Sequence, residues 1–184
     1  MKHLFWIDLE MTGLDEKIDH ILEVAAVITD LDLNPIEIYN QAIFQPPEIL
    51  MQMNSWCKEN HTKSGLVNLI PKGIQLKQAE NDFLDLANRY FDQKDQIVLT
   101  GNSVGNDRRF VDRYFTEFSK RLHYRLIDVS SFKEIFREKY NLKFEKQNAH
   151  RAKDDVFESI RELKFYLSFV HVPPELMQAT PQNP

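Results

Sequence analysis

Apolar residues fill the chain from Leu4 to Leu9 with one interruption, Asp8, and the run closes on Glu10. A short, nearly continuous apolar run predicts a buried central strand over 3–10, ended by Thr12 and Gly13. Residues 21–30 are rich in β-branched side chains and predict a second strand. Asp32, Asn34 and Pro35 mark a turn, and 36–44 alternates as a third strand. Three strands joined by short polar links predict an antiparallel meander.

Beyond Pro46 the period changes to that of helices. Ile49, Leu50, Met53 and Trp56 are spaced for one helix over 48–59. A polar junction from His61 leads to the short apolar stretch Leu66–Ile70, closed by Pro71 and Gly73. A helix over 74–91 then presents Leu76, Ala79, Phe83, Leu86, Ala87 and Tyr90 on one face. A short strand at 97–99 and a turn at 101–105 lead into a helix carrying Asp107, Arg108, Arg109, Phe110 and Tyr114. A strand at 124–128, a helix at 129–140 and a polar loop at 141–148 follow. The last helix spans about 152–170, with Val156, Ile160, Leu163, Leu167 and Val170 as its core stripe. This order predicts an α/β fold, a mixed sheet flanked by helices in a single domain over 1–170. The Pro-rich remainder, 171–184, reads as a disordered tail.

Composition narrows the function classes. With 42% hydrophobic and 28% charged residues in 184, the chain suits one globular domain. No apolar run approaches the roughly 20 residues of a membrane span. The first strand begins at once, which leaves no room for a signal peptide. The single cysteine, Cys57, excludes an internal disulfide framework and agrees with a cytoplasmic setting. The net charge of −5, from 23 basic and 28 acidic residues, argues against tracking a long polyanion. A nucleic-acid substrate would be short, or held by metal ions and a few placed side chains.

The chemistry starts at Asp8 and Glu10. Residues two apart in a strand share a face, roughly 6.5–7 Å apart. Two acids there repel and lose solvation unless a hard divalent cation lies between them, although a strand end meeting solvent gives the same pattern. Asp107, in a first helical turn, is either a routine helix-dipole charge or a third member of the site. His150 precedes the last helix, and Asp154 and Asp155 open it. Acids on a strand end and two helix starts, with one histidine, suit two Mg²⁺ or Mn²⁺ ions about 4 Å apart clamping a phosphoryl displacement. A histidine is suited to act as the general base.

The order Asp8-x-Glu10, Asp107, His150-x-x-x-x-Asp155 resembles the DEDD exonuclease superfamily in its histidine subgroup, and within it the oligoribonucleases. The likeness extends through Trp6–Leu14, His61–Thr62 with Ser64–Leu66, Gly101–Ser103 with Asp107–Phe110, and His123–Arg125 with Asp128–Ser130. It implies a ribonuclease-H-like fold and 3′→5′ hydrolysis of very short RNA, especially dinucleotides, to 5′-mononucleotides. It implies that Asp8, Glu10 and Asp155 hold two divalent cations, Mg²⁺ or Mn²⁺, with Asp107 assisting, and that His150 is the general base. Leu14 would wedge against the bases, Trp56 and His61 would line the 3′ nucleotide, and Ser103, Arg125 and Ser130 would cap the 5′ phosphate. A homodimer is implied, with Tyr124 reaching the partner's site. Lys153 departs from the family pattern, where Met is usual. The competing readings are an exonuclease for longer strands, which calls for a basic approach, and a non-catalytic RNA-binding module, which calls for a missing acid.

Overall fold

The computed structural model describes residues 2–145 and 151–173. Five strands form one mixed sheet in the order β3-β2-β1-β4-β5. β1 (Leu4–Met11), β2 (Ile21–Thr29) and β3 (Pro35–Ala42) make the expected antiparallel meander. β4 (Ile97–Gly101) and β5 (Leu122–Asp128) add in parallel on the other side of β1. The order is that of an α/β domain, as the sequence pattern indicates.

The alternation of β1 sorts its side chains between two layers. Phe5, Ile7, Leu9 and Met11 face α3 (Leu76–Tyr90), α4 (Gly105–Tyr114) and the short α5 (Thr116–Ser119). On that face Phe5, Phe83 and Phe118 meet with ring centroids 5.2–5.7 Å apart. Leu4 and Trp6 face the opposite layer, α6 (Val129–Tyr140) and α7 (Ala152–Leu167). Buried Trp6 donates its indole N–H to Thr29 Oγ1 at 3.0 Å, so this polar atom is satisfied. Asp8 and Glu10 continue the Trp6 face by their period of two, which aims them at the α7 layer.

Three local expectations are corrected. The single helix over 48–59 is two, α1 (Pro47–Met51) and α2 (Ser55–Lys63). Asn54 is the reason: its side chain accepts from Cys57 N at 2.8 Å and starts a new helix there. His61 therefore lies inside α2 and is buried, not in a polar junction. The stretch from Leu66 forms two 3₁₀ turns, Leu66–Asn68 and Ile70–Lys72, entered through left-handed Gly65. Finally, α7 ends at Leu167, and both Leu167 and Val170 are exposed. Tyr166 takes the last core position of that helix. His150 and most of the Pro-rich segment, 174–184, lie outside the described residues.

Candidate active site

β1, β4 and β5 run parallel, so their C-terminal ends share one edge of the sheet. Ligand sites of α/β sheets form at that edge. β1 pairs with β4 through Phe5 and Trp6. Further along β1, the Leu9 N–H is taken by Asp107 Oδ1 at 2.9 Å. Asp107 is buried in the first turn of α4, where the helix N-terminus favours a carboxylate.

On the other face, Asp8, Glu10 and Asp155 converge. Each offers a carboxylate oxygen within 4.8 Å of the others. Asp155 arrives from the first turn of α7, one position from core residue Val156. Asp107 stands outside this group of three. Asp154 is exposed, so the structure separates the two adjacent acids. Burial, with Asp155, Glu23 and Asp107 nearby, pushes the Glu10 carboxyl up to about 8 against the pull of Arg151. Burial also raises Asp107 to about 7, opposed by its backbone hydrogen bonds. Acids crowded so closely carry their full charge only with a cation among them. The donors are all carboxylate oxygens, which fits a hard divalent ion.

Glu10 also lines a cleft of about 380 Å³ with Gly13, Leu14, Asn54, Trp56, Cys57 and His61. Leu14 and Trp56 are 63% and 59% exposed, so neither is a core residue. Buried His61 reaches β1 through Nε2, 2.9 Å from Met11 O, and brings Nδ1 to 3.8 Å from Glu10. A carbonyl only accepts, so Nε2 carries the proton. The loop bearing Leu14 is folded around Asp19, which accepts from Thr12 Oγ1 at 2.7 Å and Asp15 N at 2.9 Å. A Cβ on Gly13 would stand 2.4 Å from that carboxylate, so any other residue there would push Asp19 out of the place from which it holds the loop.

Ser103 and Ser130 meet on one carboxylate oxygen of Asp128, which accepts Ser103 N at 2.9 Å and Ser130 Oγ at 2.6 Å. Arg125 lies elsewhere: its guanidinium covers the Tyr124 ring at 5.4 Å, and Nε donates to the Tyr124 hydroxyl at 3.0 Å. Tyr124 is 75% exposed and stacks on His123. Sequence reasoning missed Asp19, Asp128, Glu23 and Arg151. For Glu23 a signal existed, since it is the one charge in the apolar run 21–28. Arg151 carried no signal beyond following His150.

Comparison with known proteins agrees with this geometry. Residues 5–163 match the RNase_T family, described as exonuclease. The chain is 47% identical over 171 residues to the mitochondrial oligoribonuclease of Homo sapiens, covering 90% of this chain and 72% of that one. It is 44% identical over 167 residues to the oligoribonuclease of Francisella tularensis, covering 89% and 93%. In fold it is similar to E. coli exonuclease I, in a crystal structure with a dA16 oligonucleotide, with a TM-score of 0.71 at 13% identity. Exonuclease I from Methylocaldum szegediense gives 0.66 at 14%. The chain covers 41% of the length of each exonuclease I structure.

Proposed function

Because the chain belongs to the RNase_T exonuclease family, and within it to the oligoribonucleases, we propose that it hydrolyses very short RNA from the 3′ end, ultimately dinucleotides, to 5′-mononucleotides. One observation carries the reading: Glu10 belongs both to the carboxylate cluster and to the cleft lined by Leu14, Trp56 and His61. A scissile phosphate at Glu10 would have its nucleoside in that cleft.

Asp8, Glu10 and Asp155 would hold the cations, two Mg²⁺ or Mn²⁺, with Asp107 assisting. When bound, the ions would lower the pKa of water and stabilise charge on the leaving oxygen. Asp107 orients the strand end through Leu9 N. His150 would accept the proton of the attacking water. Leu14 would wedge against the bases, and Trp56 and His61 would line the 3′ nucleotide. Ser103, Arg125 and Ser130 would close the site over the 5′ phosphate, with Arg125 swinging from Tyr124 to make a two-pronged contact. In this reading the working form is a homodimer, with Tyr124 offering its exposed face to a base in the partner's site. The acidic net charge and single cysteine support a short substrate and a cytoplasmic setting. Among the described residues no helix is long and apolar enough to cross a membrane.

The test is hydrolysis of 5′-labelled RNAs of two, four, seven and about twenty nucleotides, with Mg²⁺, Mn²⁺ or chelator. Metal-dependent cleavage strongest on the dinucleotide is expected. Equal processing of the long strand would remove the 5′ cap from the proposal and leave a general 3′→5′ exonuclease. Binding without cleavage at any length would indicate a non-catalytic module.

A further inference from the structure

α7 begins without a side-chain cap of its own, because its N-cap residue is Arg151. The first backbone N–H groups of a helix need an acceptor. Here it comes from across the sheet, where Oε2 of Glu23, in β2, accepts from Ala152 N at 3.1 Å. The same carboxylate grips Arg151 through Nε at 3.0 Å and Nη2 at 2.6 Å. Asn40 Nδ2 donates to Oε1 at 3.0 Å. Glu23 is fully buried, while the Arg151 side chain that reaches it is about a quarter exposed, so the carboxylate depends on these donors in place of water. A carboxylate held by a guanidinium fork and two further donors has one available position.

Glu23 is also the direct cross-strand partner of Glu10. Such partners lie side by side on one face. One member of the pair thus belongs to the acidic cluster, and the other holds the helix that brings Asp155 there. Asp155 N bonds to Arg151 O at 3.0 Å, so the gripped residue and the cluster residue share the first turn of α7. A short, rigid connection runs from β2 through Glu23 and Arg151 to Asp155. Since the three clustered carboxylates repel one another, something must resist their separation before a cation arrives.

We infer that Glu23 and Arg151 are a positioning pair, which caps α7 from across the sheet and holds Asp155 against Asp8 and Glu10 at the separation a divalent cation needs. The inference rests on the proposed metal-dependent reading and deepens it. It also predicts a sign that simple charge does not. Arg151 is a cation near a cation site, so electrostatics alone makes its removal tighten metal binding. Positioning makes its removal weaken it.

The experiment titrates Mn²⁺ by its electron paramagnetic resonance into wild type, Arg151→Gln, Arg151→Lys, Glu23→Gln and Asp155→Ala. Arg151→Gln and Glu23→Gln are expected to raise the Mn²⁺ Kd by about 10–100-fold, the usual size for a group that supports a metal ligand. Arg151→Lys keeps a cation against the buried carboxylate but loses the fork, and its Kd should fall between wild type and Arg151→Gln. In dinucleotide assays the lost rate should return as Mn²⁺ is raised above the new Kd, with KM unchanged. An Arg151→Gln Kd equal to or tighter than wild type overturns the pair, even if the variant melts earlier, because Glu23 is then only a helix cap. Should Arg151→Gln not fold, Arg151→Lys decides: a wild-type Kd overturns the inference and a weaker one supports it. A wild type whose Mn²⁺ binding is unaffected by Asp155→Ala would remove the metal site and the pair together, an outcome distinct from failure of the pair alone.

Discussion

The protein buries carboxylates in two opposite ways. In the corner between α3 and α5, Glu80 is buried with donors on every side. Lys77 Nζ lies 2.6 Å from Oε2, and Oε1 accepts from Glu117 N at 2.6 Å and Phe118 N at 3.4 Å. Burial pushes its pKa up, but Lys77 and the two N–H groups prevail and leave it below the usual range. At the end of β1, Glu10 faces other acids and is raised to about 8. The first arrangement ties a helix start to the core. The second holds repulsion that a proton or a cation relieves. Buried acids alone therefore do not mark a site; acids buried against acids do.

The sharpest way to break this contrast is to remove one acid from each place. Asp155→Ala takes away a cation ligand and should lower dinucleotide turnover by about 10³-fold or more, several kcal/mol of transition-state stabilisation. Near-normal turnover in Mg²⁺ would sink the assignment. Tyr124→Ala extends the contrast to a residue outside both places. Its side chain is 75% exposed and adds nothing to the core. Loss of a stacked base contact, worth ~1–3 kcal/mol, should reduce kcat/KM by about 5–150-fold with the melting temperature unchanged. Normal dinucleotide turnover by this variant would remove its stacking role.

Glu80→Ala should give the mirror image. It leaves two backbone N–H groups without their acceptor and should destabilise the fold by about 1–3 kcal/mol. For a chain of this length that lowers the melting temperature by about 2–4 °C per kcal/mol. Turnover per folded molecule should match wild type, since Glu80 belongs to the opposite layer from Asp155. A drop in activity at full folding would show that the two places are not independent.

Much of this contrast is legible in the amino-acid sequence. Period-two alternation in β1 assigns Asp8 and Glu10 to one face, and the helical stripe through Val156 allows Asp155 to reach a strand end. Residues whose role depends on a long-range partner are not legible there. Glu23 and Arg151 are 128 positions apart, and no local pattern announces that they meet. Asn54 capping α2 is hidden for a different reason. Helical spacing continues across it, and apolar periodicity does not register a cap that restarts a helix two residues after a break. Leu14 and Trp56 are ambiguous between core and cleft because both roles want a large apolar side chain. Only exposure separates them.

The smallest effect concerns pH and gives the contrast its direction. A carboxyl raised in the folded state takes up a proton on folding between its unfolded and folded pKa values. Glu10 moves from 4.5 to about 8 and Asp107 from 3.8 to about 7. The stability each contributes is fully present below the unfolded value and is lost as pH rises through the folded value. The metal-free protein should therefore melt progressively earlier from pH 5 to pH 9. Glu80, shifted downward, works in the opposite sense: its contribution is present above the ordinary carboxylate range and is lost on acidification. Mn²⁺ competes with those protons for the same oxygens, so its stabilisation, which follows RT ln(1 + [Mn²⁺]/Kd), should grow across the same interval. Thermal melts at pH 6, 7, 8 and 9, with chelator and with Mn²⁺, would reveal two curves that diverge as pH rises. Parallel curves would mean that the raised acids are not the groups that receive the cation. Glu10→Gln, which cannot ionise, should flatten the metal-free slope above pH 7 and leave the part below it that Asp107 supplies, while Glu80→Gln leaves both in place, and that difference would assign the upper part of the slope to the cleft end of β1.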